Sequence, residues 1–388
     1  MKLKKVLIVG GGPAGLMSAI ILNSKGCDVT VIDKKIWPID KVCGEGIMPN
    51  GVEILKKHNL LNKFNPELSR KFKGIAYLDQ KFFNANFMIG EGFVIRRTEL
   101  SRVLYEECLS RKIKMISDCE LVEYSESKSL QVYVRDNKSK DNYILGDFDY
   151  LVGCDGLRSK VRKLGDFKTT KLRKQNRIGA RVHYPIKAWS DKVEVYWNDY
   201  IECYVAPISG DIVEFIFCWN KDRLNIHKGT SEQTLKDLFS YFPQLEKRVN
   251  KIEAITKFEL MGSFALKSND VIKKKVILIG DSLAFLDPIT GEGLSLAFEE
   301  SDLLGKYFFD LDNDKSKQKF IKEINKKVNR YVSVTKLALF FSDHPFLRKF
   351  VFTFLSKFQF VFQYLLELNT GIGHLSVINR FLVAKIKI

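Results

Sequence analysis

Gly10, Gly12 and Gly15 carry the first chemistry in this chain. The run Gly10-Gly11-Gly12-Pro13-Ala14-Gly15 has the spacing G-x-G-x-x-G, which lets a main chain approach a pyrophosphate. Gly10 allows the tight turn, Gly12 leaves room for the phosphate, Pro13 and Ala14 open a helix, and Gly15 lets that helix close on its strand. Asp33, with Lys34 beside it, stands where a carboxylate takes a ribose hydroxyl. These residues work only if particular elements hold them. Lys5 to Val9 reads as a buried strand, Leu16 to Leu22 as the body of an apolar helix, and Asp28 to Ile32 as a second strand ending at Asp33. The phosphate then sits at a helix N-terminus, where free N–H groups and the dipole favour negative charge. With strand, turn, helix and acid in place, the reading is a bound dinucleotide.

Two later segments narrow it. Tyr150 to Gly153 is an apolar run into Cys154-Asp155-Gly156-Leu157-Arg158-Ser159, and Lys275 to Ile279 is another, closed by Gly280-Asp281. Asp287-Pro288-Ile289-Thr290-Gly291-Glu292-Gly293-Leu294 follows, leading a helix to about Phe309. Alone, each is a strand closed by ordinary turn residues. In this order, from Lys5 to about Asp302, they resemble the flavoprotein pattern shared by geranylgeranyl reductases and aromatic hydroxylases of the para-hydroxybenzoate hydroxylase type. The resemblance implies FAD as cofactor, with Asp155 and Asp281 among its ligands and Asp281 on the ribityl chain. It also implies that Gly291, Gly293 and Leu294 aim a helix N-terminus at the flavin ring, stabilising negative charge there. By the same resemblance Arg97 reaches the flavin phosphate or ribityl chain, and Val122 lends backbone groups to the adenine.

Within that superfamily, Lys41-Val42-Cys43-Gly44-Glu45-Gly46-Ile47-Met48-Pro49 resembles the cysteine-glycine loop of geranylgeranyl reductases; the hydroxylases usually carry arginine where Cys43 stands. Cys43 and Gly44 are therefore expected beside the flavin. Cys43 and Glu292 are the catalytic candidates, although Glu292 at a helix start is also explained by the dipole alone. One stretch departs from the reductase pattern: Glu202-Cys203-Tyr204-Val205-Ala206-Pro207 replaces the Tyr-x-Trp-x-Phe-Pro element of the archaeal enzymes. The flavin chemistry thus carries over better than the substrate. The expected function is an FAD-dependent oxidoreductase that reduces double bonds of an apolar or prenyl-like substrate by hydride transfer from flavin N5. The alternatives are a single-component monooxygenase using NAD(P)H and dioxygen, and a flavin-binding protein without turnover. Only one nucleotide fingerprint occurs, so NAD(P)H is expected as a transient electron donor, with another protein as the other source.

Composition fits a globular enzyme, with 45% hydrophobic residues in 388. Seven cysteines form no C-x-x-C pair and the N-terminus begins a strand, which points to a reducing cytoplasm. Five histidines (58, 183, 227, 344 and 374) show no metal spacing, so no metal is expected. The net charge of +17 is spread along the chain, in Lys2, Lys4, Lys5, Lys171 to Lys174, Lys273 to Lys275 and Lys315 to Lys327. Solvated surface explains it first and an anionic membrane surface second; no nucleic-acid motif accompanies it, and nucleic acid is not an expected partner.

The fold class is α/β: a Rossmann-like FAD-binding domain with an inserted antiparallel-sheet substrate domain and a helical C-terminal tail. The expected boundaries are 1–72, 94–165 and 270–330 for the FAD domain, 73–93 and 166–269 for the substrate domain, and 331–388 for the tail. Arg96 to Leu104 returns to the FAD domain as a helix, with Thr98 as its candidate N-cap. Val193 to Trp197, Ile201 to Val205 and Ile212 to Trp219 alternate as sheet strands, and Tyr196, Trp197, Tyr204, Phe215, Phe217 and Trp219 are candidate pocket lining of which alternation permits half. In the tail, Pro345 starts a helix capped by Ser342 or Asp343. Its apolar face packs on the core, covers the substrate, or lies on a membrane edged by Lys349, Lys357, Lys385 and Lys387.

Overall fold

The computed structural model describes residues 3–126, 129–172, 177–224, 226, 230–262 and 265–370. Lys2, Arg173, Lys174, His227, His374, Lys385 and Lys387 lie outside the described residues. The run Val6 to Val9 is buried because both faces of its strand are covered, which is why it is continuously apolar rather than alternating. Lys5–Val9 is the centre of a six-stranded sheet. Asp28–Ile32 and then Lys114–Ile116 pair on one side, and Tyr150–Gly153, Val276–Leu278 and Ile272–Lys273 on the other. All these pairs are parallel except the last. Helix Pro13–Ser24 packs between this sheet and helix Gly293–Tyr307, with Gly305 close on Ile21.

A seven-stranded sheet stands beside it, in the order Glu259–Gly262, Arg177–Tyr184, Val213–Asn220, Ile201–Pro207, Val193–Trp197, Gly74–Leu78, Phe82–Asn86. It is antiparallel apart from the Val193–Trp197 and Gly74–Leu78 pair. The strands near residues 74–86 thus leave the dinucleotide sheet and join this one. Period-two alternation splits its aromatics as the pleat requires. Tyr196, Phe215, Phe217 and Trp219 pack with Phe239 and Phe242 under helices Ser231–Ser240 and Pro243–Val249, while Trp197 and Tyr204 face the other way.

The tail consists of helices Asp314–Asp343, Pro345–Lys357 and Gln359–Thr370, so the first of them runs through the expected boundary at 331. They pack on the outer strands of the large sheet. Phe83 makes edge-to-face contacts with Phe352 and Phe362, each at 4.9 Å between ring centres, and Tyr77 joins both. Such pairs contribute about 0.5–1.5 kcal/mol each beyond the area they bury. Arg348, fully buried, donates to Asp79 at 3.2 Å and lies over the Trp197 ring. Two expected caps are corrected. Thr98 lies inside helix Arg97–Ser110, whose first N–H is met by the distant Glu45 carboxylate at 2.7 Å. His344 occupies the cap position of helix Pro345–Lys357, and Ser342 donates to Glu202 at 2.6 Å instead.

Candidate active site

The fingerprint turn folds as its spacing demands. Gly10 has φ +107° and no room for a side chain, since a Cβ there would lie 2.4 Å from the Cys154 carbonyl oxygen. A Cβ on Gly15 would lie 1.8 Å from the Gly10 carbonyl oxygen, so helix and strand meet only through glycine. Gly12 differs: nothing lies within 4 Å of its absent Cβ. Gly12 caps helix Pro13–Ser24, which has proline at its start and no acid in its first turn. Its N-terminus opens on one cavity of about 1040 Å³.

That cavity collects nearly every expected residue. Gly10, Gly12, Pro13, Ala14, Asp33, Lys34, Cys43, Gly44, Arg97, Asp155, Asp281, Gly291, Glu292, Gly293 and Leu294 all line it. Gly15 does not, because its task is packing. Val122 does not line it either; Cys119, Glu120 and Leu121 do, at the start of strand Cys119–Glu126.

The polar groups are those a nucleotide needs. Asp33 accepts from the Gly11 N–H at 2.6 Å and the Lys35 N–H at 2.8 Å, and burial pushes its carboxyl up despite those bonds. Asp155 uses one oxygen to cap a short helix through Lys160 and Val161 N–H, at 2.6 and 3.1 Å, leaving Oδ1 with no hydrogen-bond partner. The Arg97 Nε is also left without a partner. Asp281 is paired with Lys41 at 2.5 Å, and Glu300 accepts from the Gly280 N–H at 2.5 Å from behind. No heavy atom lies within 4 Å of a Cβ built on Gly291 or Gly293, and Gly291 takes φ +65°. An open cradle, an unpaired guanidinium nitrogen and an unpaired carboxylate oxygen fit a phosphate- and hydroxyl-bearing cofactor.

Past Cys43 the lining turns apolar, with Ile75, Tyr77, Phe83, Val195, Trp197 and Ile216. Burial pushes the Cys43 thiol up against the pull of Arg97 and Arg181, so it stays protonated. The Pro288–Thr290 turn is fixed to this compartment from three directions. Asp287 caps it at Ile289, Arg177 bridges Asp287 (2.8 Å) and Glu202 (2.6 Å), and the Tyr204 hydroxyl donates to the Ile289 carbonyl at 2.9 Å.

Beside Cys43 lies a buried charge cluster that sequence spacing did not reveal. Arg181 holds Glu45 at 3.1 Å and Asp40 at 2.9 Å, and Arg96 lies 3.6 Å from Glu45. His183 Nε2 is 3.1 Å from Glu45 and 3.8 Å from Glu214. Burial works to raise the Glu45 carboxyl, but His183 and the two arginines overcome it and hold it ionised. Burial keeps His183 neutral. Burial, reinforced by the Glu45 charge, pushes Glu214 well above the carboxylate range. Glu214 therefore stands as a neutral acid on the cavity wall, its Oε1 without a hydrogen-bond partner. Glu45, His183 and Glu214 are also the one His/Cys/carboxylate group among the described residues close enough to hold a metal. The guanidinium of Arg181 occupies Glu45 instead.

Comparison with known proteins agrees with this geometry. The rifampicin monooxygenase of Rhodococcus hoagii is 26% identical over 77% of this chain, and the chain spans 62% of that protein's length. The menaquinone reductase of Mycolicibacterium smegmatis is 24% identical over 77% of this chain and 74% of its own length. The solved structure of a probable FAD-dependent monooxygenase from Pseudomonas aeruginosa superposes with a TM-score of 0.74 at 16% identity, covering 88% of this chain and 97% of that one. The FAD binding domain family matches residues 4–331, and the chain belongs to that family: it is an FAD-dependent oxidoreductase of the para-hydroxybenzoate hydroxylase-like superfamily.

Proposed function

We propose that the chain transforms an apolar molecule seated between Trp197, Ile216 and Phe352, with FAD in the glycine-lined arm of the same cavity. The observation that carries this is the continuity of the two compartments. Polar phosphate- and ribose-type groups line one end, aromatic and aliphatic side chains line the other, and Cys43 and the Gly291–Leu294 turn are shared. Bound FAD supplies the redox step, either by passing hydride or by activating dioxygen. The protein's own part is to orient the substrate against the aromatic wall, exclude water and supply a proton. Glu214 is the group for that last task, being neutral, buried and on the wall. Arg97 and the N–H groups at the starts of helices Pro13–Ser24 and Gly293–Tyr307 supply positive potential to the cofactor.

Oxygen insertion is the first reading, because rifampicin monooxygenase is named for it and the Pseudomonas structure is described in the same terms. Double-bond reduction, the expectation from sequence, is the second, supported by the Cys43-Gly44-Glu45-Gly46 loop and the likeness to a menaquinone reductase. FAD-loaded protein with NADPH and apolar candidate substrates under ¹⁸O₂ separates them. Oxygen insertion puts the label in the product; reduction adds two hydrogens and no label. NADPH oxidation that no apolar compound stimulates, with no product of either kind, would overturn both.

A further inference from the structure

We propose that helix Pro345–Lys357 is a membrane-docking element, seating on an anionic bilayer surface, and that the apolar cavity opens towards that surface. Its residues fall into two faces. Phe352 and Leu355 are buried against the sheet, whereas Phe346, Phe350, Phe354 and Phe358 recur every fourth position and are 84%, 73%, 46% and 43% exposed. At that spacing the four rings form one stripe along the helix. Leu337, Phe340, Leu347, Phe360 and Leu365 are likewise exposed on the three tail helices, and exposed apolar residues gathered in this way mark an interaction surface.

Two observations identify the occupant. The first is charge. From Lys336 to Leu366 the acidic residues reduce to Asp343, which is engaged by Arg223 at 3.7 Å, while Lys336 and Lys357 are exposed beside the stripe. A cationic rim around an apolar face suits an interface bearing anionic headgroups. A second copy of this chain is a poorer fit, because it would bring the same face, whose one acid between Lys336 and Leu366 is the engaged Asp343, and so would offer these lysines no carboxylate. The second is continuity. Leu337, Phe354 and Leu365 are exposed and also line the cavity, so the stripe meets the cavity wall at Phe354. An apolar molecule dissolved in a bilayer reaches the cavity there without crossing water. No described helix is long and apolar enough to cross a membrane, and the proposal is of a peripheral seat.

The entry route rests on the apolar-substrate reading; the docking does not, and it is measured with no substrate present. Full-length FAD-loaded protein is sedimented with vesicles of phosphatidylcholine alone and with phosphatidylglycerol added, at low and high salt. We expect co-sedimentation with the anionic vesicles, weakened by salt, and a fall of about tenfold or more in partitioning for Phe346→Glu/Phe350→Glu. FAD content per chain checks that this variant folds; if it does not, Lys336→Glu/Lys357→Glu supplies the test, losing binding to anionic vesicles. Protein that stays in the supernatant throughout would overturn the proposal. So would variants that bind as tightly as the parent. A stable dimer that the phenylalanine changes dissociate would assign the stripe to a second copy instead.

Discussion

Glu214 and Glu300 are both buried carboxyls held neutral, and they predict different things. Glu214 is fully buried and is among the residues that line the cavity; if it is the proton donor of the proposed reaction it must be protonated, and turnover is expected to fall on the alkaline side as it ionises. Glu214→Gln is expected to lower kcat about 100-fold and to remove that alkaline limb while FAD is retained. A pH–rate profile unchanged in shape would remove Glu214 from the reaction. Glu300 faces the Gly280 N–H and burial pushes it up to about 8 from 4.5. Below the lower value the proton is on in both folded and unfolded chains, and between the two values only the folded chain keeps it. Stability therefore falls as pH rises through that window and levels off above it. At about 1.4 kcal/mol per pKa unit the loss is at most on the order of 5 kcal/mol. Glu300→Gln is expected to flatten the curve, read by urea unfolding at pH 5 and 8; equal pH slopes would contradict it. Neither glutamate was legible in sequence. Glu45 is 138 residues from His183 and 169 from Glu214, and no local period links residues that only the sheet brings together.

Elements were legible where a local rule decides them. The glycine turn, the helix after it and the alternating strands each follow from spacing and period, and Trp197 and Tyr204 do share the face that Phe215 and Phe217 leave. Caps were not legible where a distant group does the capping: Glu45 reaches helix Arg97–Ser110 from another segment, which no reading of Thr98 discloses. Which residues of strand Cys119–Glu126 reach the cavity is set by how the strand meets the dinucleotide sheet, which no local period gives: Cys119, Glu120 and Leu121 line it and Val122 does not. Two glycine substitutions separate packing from binding. Gly15→Ala forces a carbon against the Gly10 carbonyl and is expected to cost about 1–3 kcal/mol in urea unfolding of FAD-free protein. Gly12→Ala meets no protein atom, so FAD-free stability should change by less than about 0.5 kcal/mol. FAD retention through gel filtration should nonetheless fall, because the added methyl enters the phosphate space. Loss of FAD-free stability in Gly12→Ala alone would reverse this assignment.

At the scale of the whole molecule, one cavity joins a dinucleotide-binding sheet to an antiparallel sheet, and the tail helices close its far side. The tail's packing was only half legible. Its apolar residues are numerous enough for two faces, and sequence alone does not say that Phe352 and Phe362 turn inwards while Phe346 and Phe350 turn out. The Arg177 bridge from Asp287 to Glu202, with Ser342 behind Glu202, ties the tail and the large sheet to the turn beside the cofactor. The apolar part of the cavity is thereby held against its glycine-lined arm. The direct measurement is the visible spectrum of bound FAD during titration with an apolar ring compound such as a prenylated naphthoquinone. A saturable shift of the flavin bands is expected in the parent protein, and its loss in Ile216→Trp, which fills the compartment while FAD content per chain stays the same. No shift with any apolar compound, or the same shift with the compartment filled, would contradict a substrate site at the flavin.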